Sequence, residues 1–382
     1  MDASLLTDSD FWNDPRPFAA GEFPDLPELA GHVLFETSGS AGNPKWVALT
    51  KRALLVSAAA VNRHLQVTRE SCWGLALPLN HVGGFGIAAR AYKAGCRLEQ
   101  RDGRWEPSLF RDLLADKGVS HTSLVPTQVH DLVKNRITAP AALLAVVVGG
   151  GHLDLATGQE ARDLGWPVLA SYGMSEAASQ IATQGLDLLD APYHPAPISL
   201  LPIWQAETMD DGLLRISGPA LFSGYVINGK FEPRSSAWHE TSDRVVFGDQ
   251  MLTPVGRADT LVKVLGELVD PESIERELLS LSHGQLVPGT FAVIAILDPR
   301  AGNALIPVFE SSVDSRIIDP VLALYGKNAA GFRKLGRPVM MSNFPRSNMG
   351  KLRRAELAAM IDPPSFSSDP GARDFGLSSP PR

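Results

Sequence analysis

A glycine-rich segment near the start of the chain holds the residues with the clearest chemical potential. Small and hydroxyl-bearing residues come first, and a lysine follows three positions after the last glycine: Thr37, Ser38, Gly39, Ser40, Ala41, Gly42 and Lys45. Glycine permits positive φ and close backbone approach, so such a loop can turn N–H groups and hydroxyls toward a polyphosphate. It is not a Walker P-loop, because Asn43 and Pro44 precede the lysine. Alone, the segment fits either a phosphate loop or a surface turn.

A second segment with chemical potential follows a strand predicted at 167–171 and precedes a helix predicted at 175–183. It comprises Ser171, Tyr172, Gly173, Met174, Ser175 and Glu176. Tyr172 can stack on a base, Ser175 can donate to a phosphate, and Glu176 can hold a Mg²⁺ that bridges phosphates. An ordinary helix start, with Ser175 as the N-cap and an acid in the first turn, explains the same residues.

Three consecutive glycines, Gly149, Gly150 and Gly151, follow the apolar run 143–148. That run lacks polar alternation, as expected of a strand buried on both faces. The glycines therefore place bare backbone at the carboxyl end of a predicted parallel strand, where ligands bind in open α/β sheets. A flexible strand-to-helix turn is the alternative.

Two later segments carry charged residues at turns. Gly256, Arg257, Ala258 and Asp259 precede Lys263, Gly266 and a proline-started helix, a pattern that also fits a plain turn and short strand. Upstream, Asp243 is a candidate carboxylate for a ribose diol, although its triplet with Thr241 and Ser242 also fits a surface turn. Near the end, Pro345 to Lys351 forms a loop whose lysine either reaches a distant cleft or is simply solvated.

The elements that must position these residues alternate between apolar strand-like runs and helical patterns. Strands are predicted at 33–36, 72–77, 96–99, 119–125, 143–148 and 167–171, and helices at 50–66, 84–94, 107–117, 127–135, 154–164 and 175–183. This alternation predicts an α/β fold with a parallel sheet flanked by helices. In the glycine-rich region it predicts strand, loop, then helix. Between 198 and 256, short strands and turns such as Asn228-Gly229 indicate an antiparallel β region.

The pattern of helices and strands near the end of the sequence predicts a small α+β unit. Its helices are predicted at 271–281, 317–332 and 352–361, and its strands at 291–297, 304–309 and 338–342. Residues 362–382 are rich in Pro, Ser, Gly and Asp, which favours a disordered tail. We therefore predict a large domain over 1–258, a small domain over 259–361 and a tail over 362–382.

Composition narrows the class of function. The chain has 382 residues, 44% hydrophobic and 20% charged, so it is long enough for more than one domain with a large core. Its net charge of −7 argues against a general nucleic-acid surface. No apolar run is long enough to span a bilayer, and the acidic N-terminus lacks a secretory signal. The two cysteines, Cys72 and Cys96, lack metal-ligand spacing and are expected to be buried thiols. These features predict a cytoplasmic enzyme without stable membrane insertion.

Taken in order and spacing, the segments resemble the adenylate-forming superfamily of acyl-CoA synthetases, adenylation domains and luciferases. Thr37 to Lys45 is similar to the family's phosphate loop, Tyr172 to Glu176 to its Tyr-Gly-Met-Thr-Glu segment, and Gly256 to Asp259 to its Gly-Arg-x-Asp hinge. Pro345 to Lys351 is similar to its Pro-Arg-x-x-x-Gly-Lys segment, and the resemblance covers about 33–361. Within the superfamily, Ser171 to Gln180 and His121 to Gln128 look like o-succinylbenzoate–CoA ligases of menaquinone biosynthesis.

The chain departs from the family pattern at several places. Ala41 replaces a threonine of the phosphate loop, Trp46 stands where glycine is common, and Ser242 replaces the glycine of Thr-Gly-Asp. Only 36 residues precede Thr37, whereas most relatives carry a much longer region. The resemblance therefore implies an N-terminally shortened member, with part of the substrate wall changed.

The resemblance implies a role for each candidate residue. The phosphates of ATP would be held by Thr37, Ser38, Gly39, Ser40, Gly42, Lys45 and Ser175. Adenine and ribose would contact Gly149, Gly150, Gly151, Ser171, Tyr172, Gly173, Met174, Asp243 and Arg257. Lys351 would be the catalytic cation, Glu176 the Mg²⁺ ligand, and His81 the substrate gate. Asp259 would be the hinge, with Lys263 and Gly266 on the CoA side.

The implied reaction has two steps, with ATP and CoA as co-substrates and Mg²⁺ as cofactor. A carboxylic acid would first become an acyl-AMP, and CoA would then displace AMP, with the small domain rotating in between. Other acyl- or aryl-CoA ligases and free-standing acyl-adenylating enzymes stay open as alternatives. A non-catalytic nucleotide-binding relative is the alternative from another class, although the presence of both Lys351 and Glu176 argues against it. The sequence leaves open the group that pairs a second substrate carboxylate, and whether the chain forms a homo-oligomer.

Overall fold

The computed structural model describes residues 3–19, 21, 23, 26–38, 44–101, 103–346 and 352–361. Its α-helices are α1 (Ser4–Thr7), α2 (Ser9–Asn13), α3 (Lys51–His64), α4 (Val82–Ala94), α5 (Pro107–Asp116), α6 (Pro126–Lys134), α7 (Leu155–Asp163), α8 (Pro271–Leu281), α9 (Ser315–Asn328) and α10 (Arg354–Ala359). Apart from 175–183, every predicted helix is confirmed with small shifts at its ends. The predicted tail over 362–382 lies outside the described residues.

The strands form a six-stranded sheet, two five-stranded sheets and two minor sheets of three and two strands. In chain order they are β1 (Phe18–Ala19), β2 (His32–Ser38), β3 (Pro44–Thr50), β4 (Cys72–Leu75), β5 (Arg97–Gln100), β6 (His121–Leu124), β7 (Ala145–Val148), β8 (Val168–Tyr172), β9 (Ala182–Thr183), β10 (Ile198–Ser199), β11 (Gln205–Thr208), β12 (Leu213–Ser217), β13 (Gly224–Ile227), β14 (Lys230–Pro233), β15 (His239–Gly248), β16 (Met251–Arg257), β17 (Val262–Val264), β18 (Glu267–Val269), β19 (Phe291–Asp298), β20 (Gly302–Glu310) and β21 (Val339–Met341).

The predicted parallel sheet is present with the strand order β5-β4-β6-β7-β8-β9. Its first five strands run parallel, and the short β9 pairs antiparallel with β8. Strands β4, β6 and β7 are buried along their whole length. The apolar or small residues of β4 and β7 predict this burial, whereas β6 buries the polar side chains of His121, Thr122 and Ser123. The carboxyl ends of β7 and β8 therefore present the three glycines and Tyr172 at one edge of the sheet.

The prediction of strand, loop and helix around the phosphate segment is wrong in one respect. Residues 44–50 form β3, which pairs antiparallel with β2 in a mixed sheet of order β1-β2-β3-β13-β14. The run Val47-Ala48-Leu49 is fully buried. Packing of these side chains favours a strand here, where the sequence predicted that the chain passes from loop to helix. The hairpin places Lys45 opposite Thr37, and α3 begins only at Lys51, where the Thr50 side chain accepts from the N–H of Ala53 at 3.0 Å.

The helix predicted at 175–183 is also wrong. Only the 3₁₀ turn Ser175–Ala177 forms, because Ala178 and Ser179 adopt positive φ values of 51° and 95° that no α-helix accommodates. The reversal brings the carbonyl oxygen of Ser179 so close to Gly173 that a Cβ there would lie 1.6 Å from it. Glycine at 173 is thus a steric requirement of this turn.

The antiparallel region is confirmed, with the order β10-β16-β15-β12-β11. The exception is the hairpin of β13 and β14, which joins the mixed sheet by pairing β13 with β3. Its turn uses Asn228 and Gly229 at φ values of 50° and 75°, as the sequence predicted. Asp243 lies within the long strand β15 and is buried, so the surface-turn alternative for this residue is wrong.

Two apolar clusters lie wholly within residues 262–361. One packs α8 and α9 against one face of β19 and β20 through Ile274, Ile318 and Phe309. The other covers the opposite face with α10 through Leu357. This arrangement supports the predicted α+β unit, and the exact boundary at 258 and 259 stays a prediction. Over the described ranges, no helix has the length and apolar character needed to cross a membrane.

The N-terminal segment is fastened to α3 by a buried lysine. The Lys51 ammonium donates to the carbonyl oxygens of Phe11 at 2.7 Å and Asp14 at 2.6 Å, and it lies 4.4 Å from the Phe11 ring centroid. Burial lowers the pKa of Lys51. These bonds offset the cost of burying the charge and fix where the first helices pack.

We expect Lys51→Met to lower the free energy of unfolding by about 1–3 kcal/mol, since it leaves buried carbonyl groups without a donor. Proteolysis within residues 3–19 should also become faster. Urea denaturation and limited proteolysis measure the two effects. Arg52→Met, at the exposed neighbouring position, is the control, and equal losses in both variants would show that the lysine's bonds are unimportant.

We expect Gly173→Ala to cost about 1–3 kcal/mol or more, because the new methyl group must displace the Ser179 backbone. Gly248→Ala is the matched control, since a Cβ at that position meets no atom within 4 Å. Thermal and urea unfolding of both variants compare the costs. A Gly173 variant as stable as the control would contradict the steric account of this turn.

Candidate functional site

Asp243 is the centre of a hydrogen-bonded chain that joins three sequence-predicted residues. The Tyr172 hydroxyl donates to its Oδ2 at 2.5 Å, and Arg257 Nη1 donates to its Oδ1 at 2.8 Å. Asp243 and Arg257 face each other across β15 and β16, which explains why residues distant in sequence meet. Arg257 also donates to both carboxylate oxygens of Asp259, from Nε at 2.8 Å and from Nη2 at 2.6 Å. The structure therefore brings the predicted ribose residues and the predicted hinge together.

The charges in this hydrogen-bonded network keep its proton donors protonated. Burial and the Asp243 carboxylate raise the pKa of Tyr172. The hydrogen bond from Arg257 lowers the pKa of Asp259, and that carboxylate in turn raises the pKa of Arg257. Each oxygen of Asp243 accepts one bond and keeps a further lone pair, so the carboxylate can still accept from a hydroxyl group of a ligand.

Glu176 and Lys45 lie together at the other side of the Tyr172–Glu176 segment. Lys45 Nζ is 3.7 Å from Glu176 Oε1, and the Tyr225 hydroxyl donates to the same oxygen at 3.0 Å. Their side chains are 31% and 15% exposed, so the pair is largely shielded from solvent. The turn that ends β8 and the hairpin of β2 and β3 thus bring a cation and a carboxylate of the predicted phosphate site into contact.

The three glycines lie between the ends of neighbouring strands. The N–H of Gly149 donates to the carbonyl oxygen of Leu124 at 3.2 Å, and a Cβ at Gly149 would lie 3.9 Å from Ser171. Gly150 has a φ of 77°, in the left-handed region that favours glycine. Met174 packs against the main apolar core. The predicted adenine residues therefore share one edge of the parallel sheet.

The remaining predicted site residues have fewer described contacts. Ser175 opens the 3₁₀ turn, and the Thr37 hydroxyl donates to the carbonyl oxygen of Lys45 at 3.2 Å. Ser38 ends β2, while Gly39, Ser40, Gly42 and Lys351 lie outside the described residues. Lys263 and Gly266 lie in the exposed hairpin of β17 and β18. Across the described ranges, neither forms a hydrogen bond or ion pair with Glu176 or Asp243.

His81 precedes α4 at its N-terminal end, close to the parallel sheet. Its Nε2 is buried and has no hydrogen-bond partner within the described part of the chain. Burial lowers the pKa of His81, which favours the neutral ring. The role of His81 as a substrate gate stays a prediction.

Arg90 is a buried cation that the sequence analysis did not single out. It is only 2% exposed, and its guanidinium lies 5.3 Å from the centroid of the Trp73 ring. Nη1 donates to Ser123 Oγ at 3.3 Å and Nη2 to Ser179 Oγ at 3.5 Å, both long bonds. Among the described residues, no carboxylate pairs with it, and burial lowers its pKa to about 10. Its signal in the sequence was an isolated arginine in an apolar helix with no acid three or four residues away.

The residues around Glu176 fit a magnesium ion that takes most of its ligands from substrate phosphates and water rather than from the protein. Over the described ranges, no three His, Cys, Asp or Glu side chains cluster as a metal site. Mg²⁺ commonly uses one or two protein carboxylates, keeps waters and takes its other ligands from substrate phosphates. Glu176, with one oxygen already bound by Tyr225, would supply such a single carboxylate.

Known proteins share sequence with most of this chain. The chain is 32% identical over 281 residues to the 2-succinylbenzoate–CoA ligase of Escherichia coli (strain K12), which covers 73% of this chain and 58% of the relative. It is 33% identical over 276 residues to the same-named protein of Salmonella typhimurium, covering 72% and 57%. The chain therefore spans less than two thirds of the length of these relatives.

Solved structures share the fold. A variant of E. coli MenE with bound OSB-AMS superposes with a TM-score of 0.70 at 27% identity, over 86% of this chain and 68% of that one. ATP-bound MatB from Rhodopseudomonas palustris gives a TM-score of 0.71 at 22% identity, over 86% and 67%, which shows the fold alone. The sequence model of the AMP-binding enzymes matches residues 28–226, more than half of the chain. The chain belongs to the AMP-binding enzyme family.

Proposed function

We propose that the protein is an AMP-forming acid–CoA ligase that converts o-succinylbenzoate to its CoA thioester. Similarity to 2-succinylbenzoate–CoA ligases over 73% of the chain supports the reaction class. The contacts among Tyr172, Asp243, Arg257, Lys45 and Glu176 supply the groups that ATP requires. Menaquinone biosynthesis would be the pathway, in the cytoplasm.

The observation that carries the substrate assignment is the buried cation Arg90. A buried charge without a counter-ion is costly, so the site is built for an anion that is not part of the described protein. o-Succinylbenzoate has two carboxylates, one to be activated and one to be recognised. Arg90, with the hydroxyls of Ser123 and Ser179 beside it, supplies hydrogen-bond donors for the second carboxylate.

The first step joins the other carboxylate to the α-phosphate of ATP and releases pyrophosphate. Negative charge builds on that phosphate during attack, so a fixed cation lowers the barrier. Lys351 is our candidate for that cation, and Lys45 with the Thr37–Gly42 loop would hold the β- and γ-phosphates. Asp243 would accept from the ribose hydroxyls. Mg²⁺, when held by Glu176 and the phosphates, supplies further charge neutralisation.

The second step is attack of the CoA thiolate on the acyl-AMP carbonyl, with AMP as the leaving group. Lys351 cannot occupy the site in both steps if CoA enters there. The small domain would therefore rotate about Asp259 and present Lys263 and Gly266 to CoA. The exposure of the β17–β18 hairpin is consistent with a surface that another state of the domain covers.

We expect ATP–pyrophosphate exchange to depend on o-succinylbenzoate, with fatty acids and benzoate as poor substrates. Arg90→Met should raise the KM for o-succinylbenzoate roughly 10- to 100-fold, the scale of losing hydrogen bonds to a charged group. The same variant should change little with 3-benzoylpropionate, which lacks the second carboxylate. Steady-state exchange kinetics on both acids measure the difference.

The comparison of the two acids separates a recognition role from damage to the fold. If Arg90→Met lowers exchange with both acids by the same factor, Arg90 does not recognise the second carboxylate. Faster exchange of the wild type with a medium-chain fatty acid than with o-succinylbenzoate would refute the substrate assignment.

We expect Lys351→Ala to lower adenylation by about 10²–10³, the scale for losing one charge-stabilising donor. Thioester formation from supplied acyl-AMP should remain largely intact, because the lysine serves only the first step. Single-turnover assays of the two half-reactions make the test. Lys327→Ala, a lysine at the end of α9, is a control, and a Lys351 variant that adenylates at the wild-type rate would show that its loop is merely solvated.

A further inference from the structure

One carboxylate oxygen of Glu176 is already held by the protein. The Tyr225 hydroxyl donates to Oε1 at 3.0 Å, and Lys45 Nζ lies 3.7 Å from the same oxygen. Lys45 Nζ also lies 3.9 Å from the centroid of the Tyr225 ring, so the three groups form one compact cluster. Within the described part of the chain, Oε2 has no partner. The carboxylate therefore has an occupied side and an available side.

The strand that carries Tyr225 is itself rigidly placed. In β13, Tyr225 pairs with Val47 of β3 on one side and with Glu232 of β14 on the other. Its ring packs against Phe222 at a centroid distance of 4.7 Å. The hydroxyl thus reaches Glu176 from the interior of a sheet, where it has little freedom to move.

The same segment also holds the backbone of Glu176. The N–H of Phe222 donates to the carbonyl oxygen of Glu176 at 2.8 Å. Two contacts three residues apart on one segment therefore fix both the main chain and the side-chain rotation of the carboxylate.

We propose that Tyr225 is a positioning residue for the metal ion: by binding Oε1 of Glu176 it fixes the carboxylate, so that Oε2 would be the oxygen available to a Mg²⁺ ion that binds together with ATP. The inference rests on the proposed function, in which Glu176 holds that ion. Groups that hydrogen-bond a metal-ligating carboxylate fix its orientation and tune its affinity. Lys45 partly neutralises the same carboxylate until phosphate groups compete for the ammonium.

Tyr225→Phe tests the proposal, because it removes only the hydroxyl and keeps the ring, its packing on Phe222 and its contact with Lys45. Binding of Mn²⁺ to the full chain, with α,β-methylene-ATP present, is followed by the electron paramagnetic resonance signal of free Mn²⁺. We expect the Mn²⁺ Kd to rise roughly 10- to 100-fold, the range seen when the outer partner of a metal ligand is removed. This readout needs no turnover.

Tyr193→Phe is the matched control. The Tyr193 hydroxyl is also buried and donates to the carbonyl oxygen of Leu153 at 3.3 Å, in a different apolar cluster. This variant should leave the Mn²⁺ Kd unchanged. If Tyr225→Phe and Tyr193→Phe bind Mn²⁺ with the same Kd as the wild type, the hydroxyl of Tyr225 does not position the metal ligand and the proposal is overturned.

Glu176→Gln and the double variant separate this proposal from the function on which it rests. If Glu176→Gln weakens Mn²⁺ binding but Tyr225→Phe does not, the proposed function stands and only the role of Tyr225 fails. If Glu176→Gln has no effect, the metal role of Glu176 fails and the inference fails with it. In the Glu176→Gln background, Tyr225→Phe should add little further loss, since it acts through that carboxylate. A full additional loss would place its effect elsewhere and overturn the proposal.

Discussion

The tight turn between Gly173 and Ser179 is the constraint on which the site depends. The Ser179 carbonyl oxygen lies where a side chain at 173 would begin, so the chain reverses within seven residues. From this one turn, Tyr172 reaches Asp243, Glu176 reaches Tyr225 and Lys45, and Ser179 reaches Arg90. The proposed ribose, metal and acid-binding groups therefore depend on the same short backbone segment, and displacing it would disturb all three at once.

Much of the fold could be predicted because its signals are local. The apolar run that forms β7, and the amphipathic patterns of α5 and α8, specify their elements within a few residues of sequence. The strand β3 could not be predicted in the same way. Its residues follow a glycine-rich segment of the sequence and precede a helix cap, and its identity as a strand comes from pairing with β2 and with the distant β13.

The candidate site divides along the same line. Motif order identified Tyr172, Glu176, Asp243 and Arg257, whose mutual contacts the structure then supplied. The sequence did not single out Arg90, because a lone arginine in a helix belongs to no motif. Its significance depends on the residues that surround it in the folded protein. Only the packed structure shows that it is buried beside Trp73 without a described carboxylate partner. The sequence did not single out Tyr225 for a similar reason, because a tyrosine in a strand is common. Only the folded structure shows that its hydroxyl donates to Glu176.

Arg257 binds two carboxylates at once, that of Asp243, the proposed ribose-binding residue, and that of Asp259 at the proposed hinge. Its guanidinium has a fixed set of donors, and any change in the backbone angles of Asp259 must stretch or break part of this arrangement. Ribose hydroxyls would bind the remaining lone pairs of the Asp243 carboxylate, which Arg257 already contacts. Occupancy of the nucleotide site and the stiffness of the hinge would then be thermodynamically linked, and by reciprocity the orientation of the small domain would alter how tightly the nucleotide is held.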